Sequence, residues 1–288
     1  MDGKTGFDHV VFAGGGNRCL WQVGFWEVAA REIGLAPKTV AAVSAGAAMA
    51  CMILSGGASE SFARFSRACG ANKRNMYPEN LFRKQPVFPH FDMFARAMLE
   101  TVDAAALARI QAGPELRILM ARPPAGIGAR TAAVAGILAY SLEKAFRHPV
   151  HATWTRRLGF RPLVVRATDC RTPRDLARAV LCSSCTPPVT PLLRYRGAPV
   201  LDGGLVDNVP LYALDDVRRP GESVLVMLTR ALPGGGAPDT ADVTYVWPSR
   251  PIRINKWDYT NPEGQRRALE QGRRDAEAYL NNARQPIR

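Results

Sequence analysis

Residues 7–18, FDHVVFAGGGNR, decide the fold of this chain. The first seven form a short apolar run that predicts a buried strand, and three consecutive glycines then end that strand. Apolar positions at helical spacing follow from Leu20 and stop near Gly34, so the segment predicts a strand, a glycine turn and a helix. The same order recurs over residues 39–54. Because repeated strand–turn–helix units build parallel sheets, the sequence predicts an α/β fold.

The rest of the chain divides into a middle part of helical character and a second β-rich part. Residues 59–157 contain Arg-rich amphipathic stretches split by prolines, which predict a mainly helical insertion or cap. Apolar runs typical of strands resume at 162–168 and 223–229, with a hairpin between them. No spacer rich in Gly and Ser separates two halves. We therefore expect a single domain over 1–288, in which 262–288 is a C-terminal helix docked on the core.

The amino-acid composition excludes several classes of protein. The 288 residues are 47% hydrophobic and 22% charged, which excludes a disordered, collagen-like or coiled-coil chain. The net charge is +13, from 38 basic and 25 acidic residues. Such a surface attracts polyanions such as lipid headgroups or nucleic acid, although a GC-rich genome explains the abundance of Arg equally well. No nucleic-acid-binding module is recognisable, so we do not expect nucleic acid as a partner.

No segment predicts export or insertion into a membrane. The longest apolar runs, residues 41–54 and 132–140, are shorter than the roughly 20 residues that span a bilayer. No apolar signal core follows the first residues. The six cysteines lie mostly in apolar or helical surroundings, so we expect reduced thiols, and the single C-x-x-C at 182–185 is a weak metal signal. We expect a cytoplasmic protein, and peripheral association with a membrane is compatible with this expectation.

Ser44 is the candidate nucleophile. It lies in the sequence Ala42-Val43-Ser44-Ala45-Gly46, between an apolar strand and an apolar helix, which is the layout of a nucleophile elbow. The positions two before and two after the serine must be small because the helix folds back against the strand, and Ala42 and Gly46 meet this requirement. The alternative is an ordinary serine at the start of an Ala-rich helix.

Asp202 is the candidate base. The usual order of a serine, an acid and then a histidine cannot be met, because all four histidines (9, 90, 148 and 151) precede Asp202. The remaining option is a carboxylate that accepts the serine proton directly. Asp202 ends the apolar run 198–201 and precedes Gly203 and Gly204, which permit close approach of the backbone. The alternative is an Asp-Gly turn in a surface hairpin.

The glycine loop, defined here as residues 14–18 (Gly14-Gly15-Gly16-Asn17-Arg18), is the candidate anion site. It lies where a strand leads into a helix, so its backbone N–H groups can meet a phosphate or an oxyanion. The patterns of dinucleotide-binding loops and of P-loops are both absent. An oxyanion hole is the better interpretation, because it needs only two or three converging N–H donors.

Taken together and in this order, the glycine loop, the Ser44 motif and the Asp202-Gly203-Gly204 motif resemble the patatin-like phospholipase family. The segments 183–187 (SSCTP) and 201–210 (LDGGLVDNVP) also match the pattern of that family. The resemblance covers roughly residues 7–57 and 161–230. It implies a three-layer α/β/α fold with a mainly parallel central sheet, and a lipid acyl hydrolase that uses a Ser/Asp dyad.

Carried over position by position, the resemblance makes Ser44 the nucleophile and Asp202 the base. It implies that Arg18 supports the loop or binds a substrate phosphate, and that no metal or cofactor takes part. Cys19 and Ala42 stand where the family usually has glycine, and both are small enough to preserve the turns. The implied oxyanion donors are the amides of Gly15, Gly16 and Asn17, and the motif glycines are Gly14, Gly46, Gly203 and Gly204.

The function that these residues imply is hydrolysis of the acyl esters of phospholipids or lysophospholipids through an acyl-enzyme. The expected partner is a lipid substrate at an anionic membrane surface. Two alternatives stay open at this point. The protein could transfer the acyl group to an alcohol instead of water, or it could be a lipid-binding or membrane-associated protein of the same fold with an impaired site.

Overall fold

The computed structural model describes residues 6–147, 151, 153–231 and 242–284. Within these residues eight strands form one sheet, and nine α-helices and several short 3-10 helices connect them. The strands are β1 (His9–Phe12), β2 (Thr39–Val43), β3 (Glu115–Arg122), β4 (Arg161–Arg166), β5 (Leu193–Tyr195), β6 (Ala198–Asp202), β7 (Val224–Met227) and β8 (Val243–Val246). The helices are α1 (Leu20–Glu32), α2 (Ala45–Leu54), α3 (Ala58–Ala71), α4 (His90–Thr101), α5 (Ala104–Ala112), α6 (Ala129–Arg147), α7 (Trp154–Arg157), α8 (Pro173–Ser183) and α9 (Pro262–Arg284).

The centre of the sheet is parallel. The strand order is β5-β6-β3-β2-β1-β7-β8, and β4 also pairs with β3. The pairs β1–β2, β1–β7, β2–β3 and β7–β8 are parallel, whereas β3–β4, β3–β6 and β5–β6 are antiparallel. The α/β fold with a mainly parallel sheet, predicted from the repeated strand–turn–helix units, is therefore confirmed.

Both faces of the sheet centre are buried, as a parallel sheet requires. Val10 and Phe12 of β1 belong to the main core, together with apolar side chains of α1, α2, α8 and α9. Val11 and Ala13 point to the opposite face. There they pack with Leu214 and its neighbours in a short 3-10 helix. The near-continuous apolar runs of the sequence reflect this burial on both sides.

The strand β3 is a correction to the expected helical insertion. Residues 59–157 contain all of α4 to α7 and all but the first residue of α3, but β3 lies among them and pairs with β2 at the centre of the sheet. This part of the chain therefore contributes to the central sheet and is not only a cap outside it. The sequence concealed β3 because ELRILMAR is rich in Leu, Met, Arg and Ala, residues that favour helices. Of the C-terminal segment predicted as a helix, residues 285–288 lie outside the described residues.

Close contact between α1 and α9 joins the two ends of the described chain. A Cβ atom at Gly24 would overlap the carbonyl group of Leu269, and one at Gly272 would overlap the carbonyl group of Trp21. The indole N–H of Trp21 donates to Asp275 Oδ2 at 2.7 Å. Two glycines thus let the helix backbones approach, and a partly buried hydrogen bond sets their register. Among the helices of the described residues, none has an apolar stretch of the length that a bilayer requires.

We expect Gly24→Ala to destabilise the protein, although alanine normally favours a helix interior by about 1 kcal/mol over glycine. The added methyl group meets backbone of α9, which cannot move aside as a flexible side chain would. Overpacking of this kind lowers the free energy of unfolding by about 2 to 3 kcal/mol, measurable by urea denaturation.

The matched control is Gly70→Ala inside α3, because a Cβ atom there has Pro262 Cγ at 3.4 Å as its nearest neighbour, an ordinary van der Waals contact. This variant should be at least as stable as the original chain. Equal stability of Gly24→Ala and Gly70→Ala would contradict the close approach of α1 and α9.

Candidate active site

One edge of β3 brings the ends of β2 and β6 together. Because β4 lines the other edge of β3 along residues 117–122, β2 and β6 must share the remaining one. On that edge Leu119 pairs with Val43, and the next residue of β3 pairs with Asp202. Ser44 directly follows Val43. The strand register therefore places Ser44 beside Asp202, although 158 positions of sequence separate them.

Ser44 occupies a tight turn between β2 and α2. Its φ of 54° and ψ of −133° are unusual for a residue with a side chain, and such strain is concentrated at functional sites. Gly46 allows the turn, since a Cβ atom there would lie 2.7 Å from the carbonyl oxygens of Phe12 and Ala13. The small residue expected two positions after Ser44 is thus required by the close approach of α2 to β1.

Ser183, at the end of α8, holds this turn against the sheet. The backbone N–H of Ser44 donates to Ser183 Oγ at 2.8 Å, and the Ser183 hydroxyl donates to the carbonyl oxygen of Leu119 at 2.6 Å. Ser183 is fully buried. Ser183 belongs to the segment 183–187, which matches the family pattern, but the sequence did not indicate this role. The two hydrogen bonds join segments that lie far apart in the chain.

The Ser44 hydroxyl donates to Asp202 Oδ2 at 2.6 Å. The other carboxylate oxygen, Oδ1, accepts the N–H of Gly204 at 2.7 Å, so the carboxylate is fixed from both sides. Burial raises the pKa of Asp202 from 3.8 to about 6, against the opposing effects of these two hydrogen bonds and of Lys256. A carboxylate with this pKa is a stronger base than an exposed one and is still ionised at neutral pH.

Asp202 is not part of a surface turn. The turn between β5 and β6 is formed by Arg196 and Gly197, which both have positive φ. Gly203 and Gly204 follow Asp202 in a 3-10 helix. A Cβ atom at Gly203 would overlap the Leu119 carbonyl, so this glycine lets the chain pass close to β3.

The glycine loop lies beside Ser44 because β1 and β2 are parallel and end together. A Cβ atom at Gly14 would be 3.5 Å from the Ser44 Cβ. The N–H of Gly14 donates to the Asn208 carbonyl at 3.0 Å, and the Gly14 carbonyl accepts the Thr229 hydroxyl at 3.0 Å and the Asn208 amide at 3.2 Å. Asn208 belongs to the segment 201–210, so hydrogen bonds join the glycine loop directly to the segment that contains Asp202.

Two of the three amides expected to form an oxyanion hole lack a partner among the described residues, namely Gly15 and Gly16. Asn17 corrects the expectation. Its N–H donates to the Lys256 carbonyl at 3.1 Å, and its side-chain amide donates to the Asp258 carbonyl at 2.8 Å. Asn17 is therefore an anchor of the loop, and its amide is already bonded.

Gly16 has a φ of 60°, and a Cβ atom there would overlap the Lys256 carbonyl. Both the backbone conformation and the close approach therefore require glycine. Arg18 donates from Nε to the Ile254 carbonyl at 3.2 Å, which supports the loop. Residues 254–258 thus form the outer support of the glycine loop, a role that the sequence of this irregular stretch did not indicate.

Ser44 and Asp202 lie in a cleft of about 410 Å³. Its lining includes Gly15 and the three basic residues Arg18, Arg230 and Lys256, whereas Asp202 is the one acidic residue among the described lining residues. The Lys256 ammonium group also lies 5.4 Å from the centre of the Trp257 ring. The described cleft is therefore cationic around a single carboxylate.

An apolar cavity begins on the other side of the serine. It is lined by Ala45 and Gly16 and by apolar side chains of α2, α3 and α4, among them Met49, Phe65 and Phe94. Ala45 directly follows Ser44. A molecule bound across the serine would thus meet charge in the cleft and an apolar surface in this cavity.

The two departures from the family pattern fit into the core. Ala42 and Cys19 are fully buried, and the Cys19 thiol lies 3.5 Å from the Ala13 carbonyl, to which it donates. No group of three His, Cys, Asp or Glu side chains in the described residues could hold a metal ion. Of the histidines, His148 lies outside the described residues, and the other three do not line the cleft.

A serine in a tight turn between a strand and a helix, at the carboxyl edge of a mainly parallel sheet, is typical of α/β hydrolases, whereas a carboxylate in place of the histidine is not. The model of the family "Patatin-like phospholipase" matches residues 10–215, so the chain belongs to this family. Membership implies lipid acyl hydrolase activity. Among solved structures, the chain is similar to VipD from Legionella pneumophila, with a TM-score of 0.43 and 11% identity over 96% of this chain and 67% of that one. No curated protein matches the sequence.

We expect Asp202→Asn to stabilise the protein in a pH-dependent manner. Because the pKa of Asp202 rises from 3.8 to about 6 on folding, the ionised carboxylate destabilises the folded chain increasingly between these two pH values and fully above them. Asparagine removes the charge and retains an acceptor for Gly204. The gain should reach about 3 kcal/mol at pH 8 and nearly vanish at pH 4, by urea denaturation at both.

An exposed carboxylate outside the cleft, changed by Asp92→Asn, serves as the control and should leave the unfolding free energy almost unchanged at either pH. If Asp202→Asn has the same effect at pH 4 and pH 8, the raised pKa of Asp202 is refuted.

Proposed function

We propose that this protein hydrolyses acyl esters of phospholipids or lysophospholipids, with Ser44 as the nucleophile and Asp202 as the base. The observation that carries the proposal is the 2.6 Å hydrogen bond from the Ser44 hydroxyl to a buried carboxylate. It supports direct proton transfer to Asp202 without a histidine, which is consistent with the absence of a histidine from the described lining of the cleft.

In the first half of the reaction, Asp202 takes the hydroxyl proton as Ser44 Oγ attacks the ester carbonyl. The carbonyl oxygen then carries a negative charge, and the free amides of Gly15 and Gly16 would donate to it. Each such donor stabilises the transition state by roughly 3 kcal/mol. The ester C–O bond then breaks, and Asp202 returns the proton to the alcohol that leaves.

In the second half, water attacks the acyl-Ser44 ester. Asp202 takes a proton from this water, the same amides hold the oxyanion, and the fatty acid leaves as Ser44 regains its proton. An alcohol in place of water would give a transferred acyl group by the same steps. The cationic cleft supports a phosphate on one side of the serine. The lining of the cavity beyond Ala45 is apolar, as an acyl chain requires, but its volume is only about 30 Å³, so its side chains would have to move apart to admit the chain.

The direct test is labelling with a fluorophosphonate, followed by intact-mass measurement and peptide mapping. One adduct should form on Ser44, and it should be lost in Ser44→Ala and in Asp202→Asn, because the first lacks the nucleophile and the second lacks the base. Ser59→Ala, an exposed serine on α3, is the control and should be labelled normally. Folded protein without an adduct, with and without vesicles, would favour a lipid-binding protein with an impaired site.

The pH dependence provides a second test. Only the ionised form of Asp202 can accept the Ser44 proton, so kcat/KM for a soluble ester should level off above pH 6 and fall about tenfold per unit below it. A product assay with glycerol present would distinguish hydrolysis from acyl transfer. A rate independent of pH between 4.5 and 7 would argue against Asp202 as the base.

The charge of the cleft predicts a preference for anionic headgroups. Lys256→Gln removes a cation but keeps the backbone carbonyl that holds Asn17. We expect kcat/KM for phosphatidylglycerol to fall about tenfold more than for phosphatidylcholine, since a charged hydrogen bond contributes roughly 1.5 kcal/mol. The ratio of the two losses in kcat/KM reports headgroup recognition, because a change at Asp202 would lower kcat/KM for both lipids equally. Equal losses on the two lipids would show that Lys256 does not contact the headgroup.

A further inference from the structure

The outer side of α6 exposes a row of apolar side chains. Val134, Leu138, Leu142 and Phe146 are spaced four residues apart, and each is between 50% and 76% exposed. Residues at this spacing lie on one side of a helix, about 6 Å apart along its axis. We call these four residues the α6 stripe. Large exposed apolar side chains in a continuous row mark a surface that contacts something else.

The inner side of the same helix forms a wall of the cleft. Ile137, Tyr140 and Ser141 line the cleft that contains Ser44 and Asp202. Closer to its start, α6 packs on the core, where Gly136 lies against the ring of Phe160. A single helix, about 10 Å across, therefore separates the α6 stripe from the candidate active site.

The chain around the α6 stripe is strongly basic. Between residues 122 and 161 it has seven basic residues and one acidic residue, Glu143. Glu143 is buried, and its carboxylate accepts the N–H groups of Thr153 and Trp154 at 2.9 to 3.0 Å, so it caps α7 and does not face solvent. The basic residues are Arg122, Arg130, Lys144, Arg147, Arg156, Arg157 and Arg161.

We propose that the α6 stripe docks the protein onto a lipid bilayer that contains anionic lipid. α6 contains Arg130, Lys144 and Arg147, and its one acidic residue, Glu143, is buried. An exposed apolar face on a helix with a basic surplus is typical of helices that lie in a bilayer interface. Anionic headgroups attract nearby Lys and Arg while the apolar side chains enter the acyl boundary. A second copy of this chain is a poorer occupant, because the two basic segments would repel each other.

This docking gives the lipid a short route to the serine. A lipid that leaves the bilayer beside the α6 stripe needs to pass only the width of α6 to reach Tyr140 and then Ser44. The proposal rests on the proposed function, because it takes the bilayer as the source of the substrate. Its test must therefore measure binding separately from catalysis.

The test compares the original chain with the triple variant Leu138→Gln, Leu142→Gln and Phe146→Gln in vesicle flotation. These side chains are exposed, so the variant should keep its circular dichroism spectrum and unfolding midpoint. The control is Leu81→Gln with Phe82→Gln, which changes two apolar residues elsewhere on the surface that are 71% and 89% exposed. The vesicles are phosphatidylcholine alone, or phosphatidylcholine with about one-third phosphatidylglycerol.

We expect the original chain and the control to bind the anionic vesicles, and the triple variant to bind them at least about tenfold more weakly. Added salt should weaken binding of the original chain, because it screens the attraction between Arg and the headgroups. Hydrolysis of vesicle phospholipid should fall with binding, whereas hydrolysis of a soluble short-chain ester should stay the same in all three proteins.

Three results would overturn the proposal. These are a failure of the original chain to bind anionic vesicles, equal binding by the triple variant, and a dimer in sedimentation that the triple variant converts to a monomer. The last result would assign the α6 stripe to an interface between copies. If no protein hydrolyses the soluble ester, the proposed function fails, but the vesicle measurement still decides the role of the α6 stripe.

Discussion

The shared edge of β3 is the constraint on which the site depends. β2 and β6 approach along this edge from opposite directions, and their ends pair with consecutive residues of β3. The pairing of the strand backbones is sufficient to place Ser44 beside Asp202. A shift of β6 by one residue would turn Asp202 to the other face of the sheet. Gly203, which passes close to the Leu119 carbonyl, is part of the same register.

The site combines two unfavourable features that the surrounding core maintains. Ser44 has a positive φ, and Asp202 is a buried carboxylate with a raised pKa. Neither is stable alone, but Ser183 fixes the turn and the N–H of Gly204 fixes the carboxylate. The same features give the hydroxyl group and the carboxylate a short hydrogen bond in a poorly hydrated place. The strained turn at Ser44 and the buried carboxylate of Asp202 therefore lower the stability of the fold and also provide the groups that the reaction needs.

The parts of the site that the sequence predicted correctly are those set by local backbone geometry. Residues 39–43 form the predicted strand, and Gly46 is small because α2 folds back on β1. The parts that it missed depend on contacts between distant segments. β3 has the composition of a helix, yet becomes a strand because its neighbours in the sheet bury it. Similarly, the backbone N–H of Asn17 donates to the carbonyl of Lys256. Lys256 lies in a stretch with no periodic pattern, so the sequence did not indicate this contact.

The support of the glycine loop by residues from the far end of the described chain affects how the protein matures. Asn17 is bonded to Lys256 and Asp258, and α1 packs against α9. The Asp258 carbonyl lies 241 positions after Asn17, so a nascent chain contains the glycine loop well before it contains the residues that hold it. The hydrogen bonds that fix the loop can form only after residues 254–258 have been made and have packed against it. The amides of Gly15 and Gly16 therefore reach their final positions late in folding, although they lie near the start of the described chain.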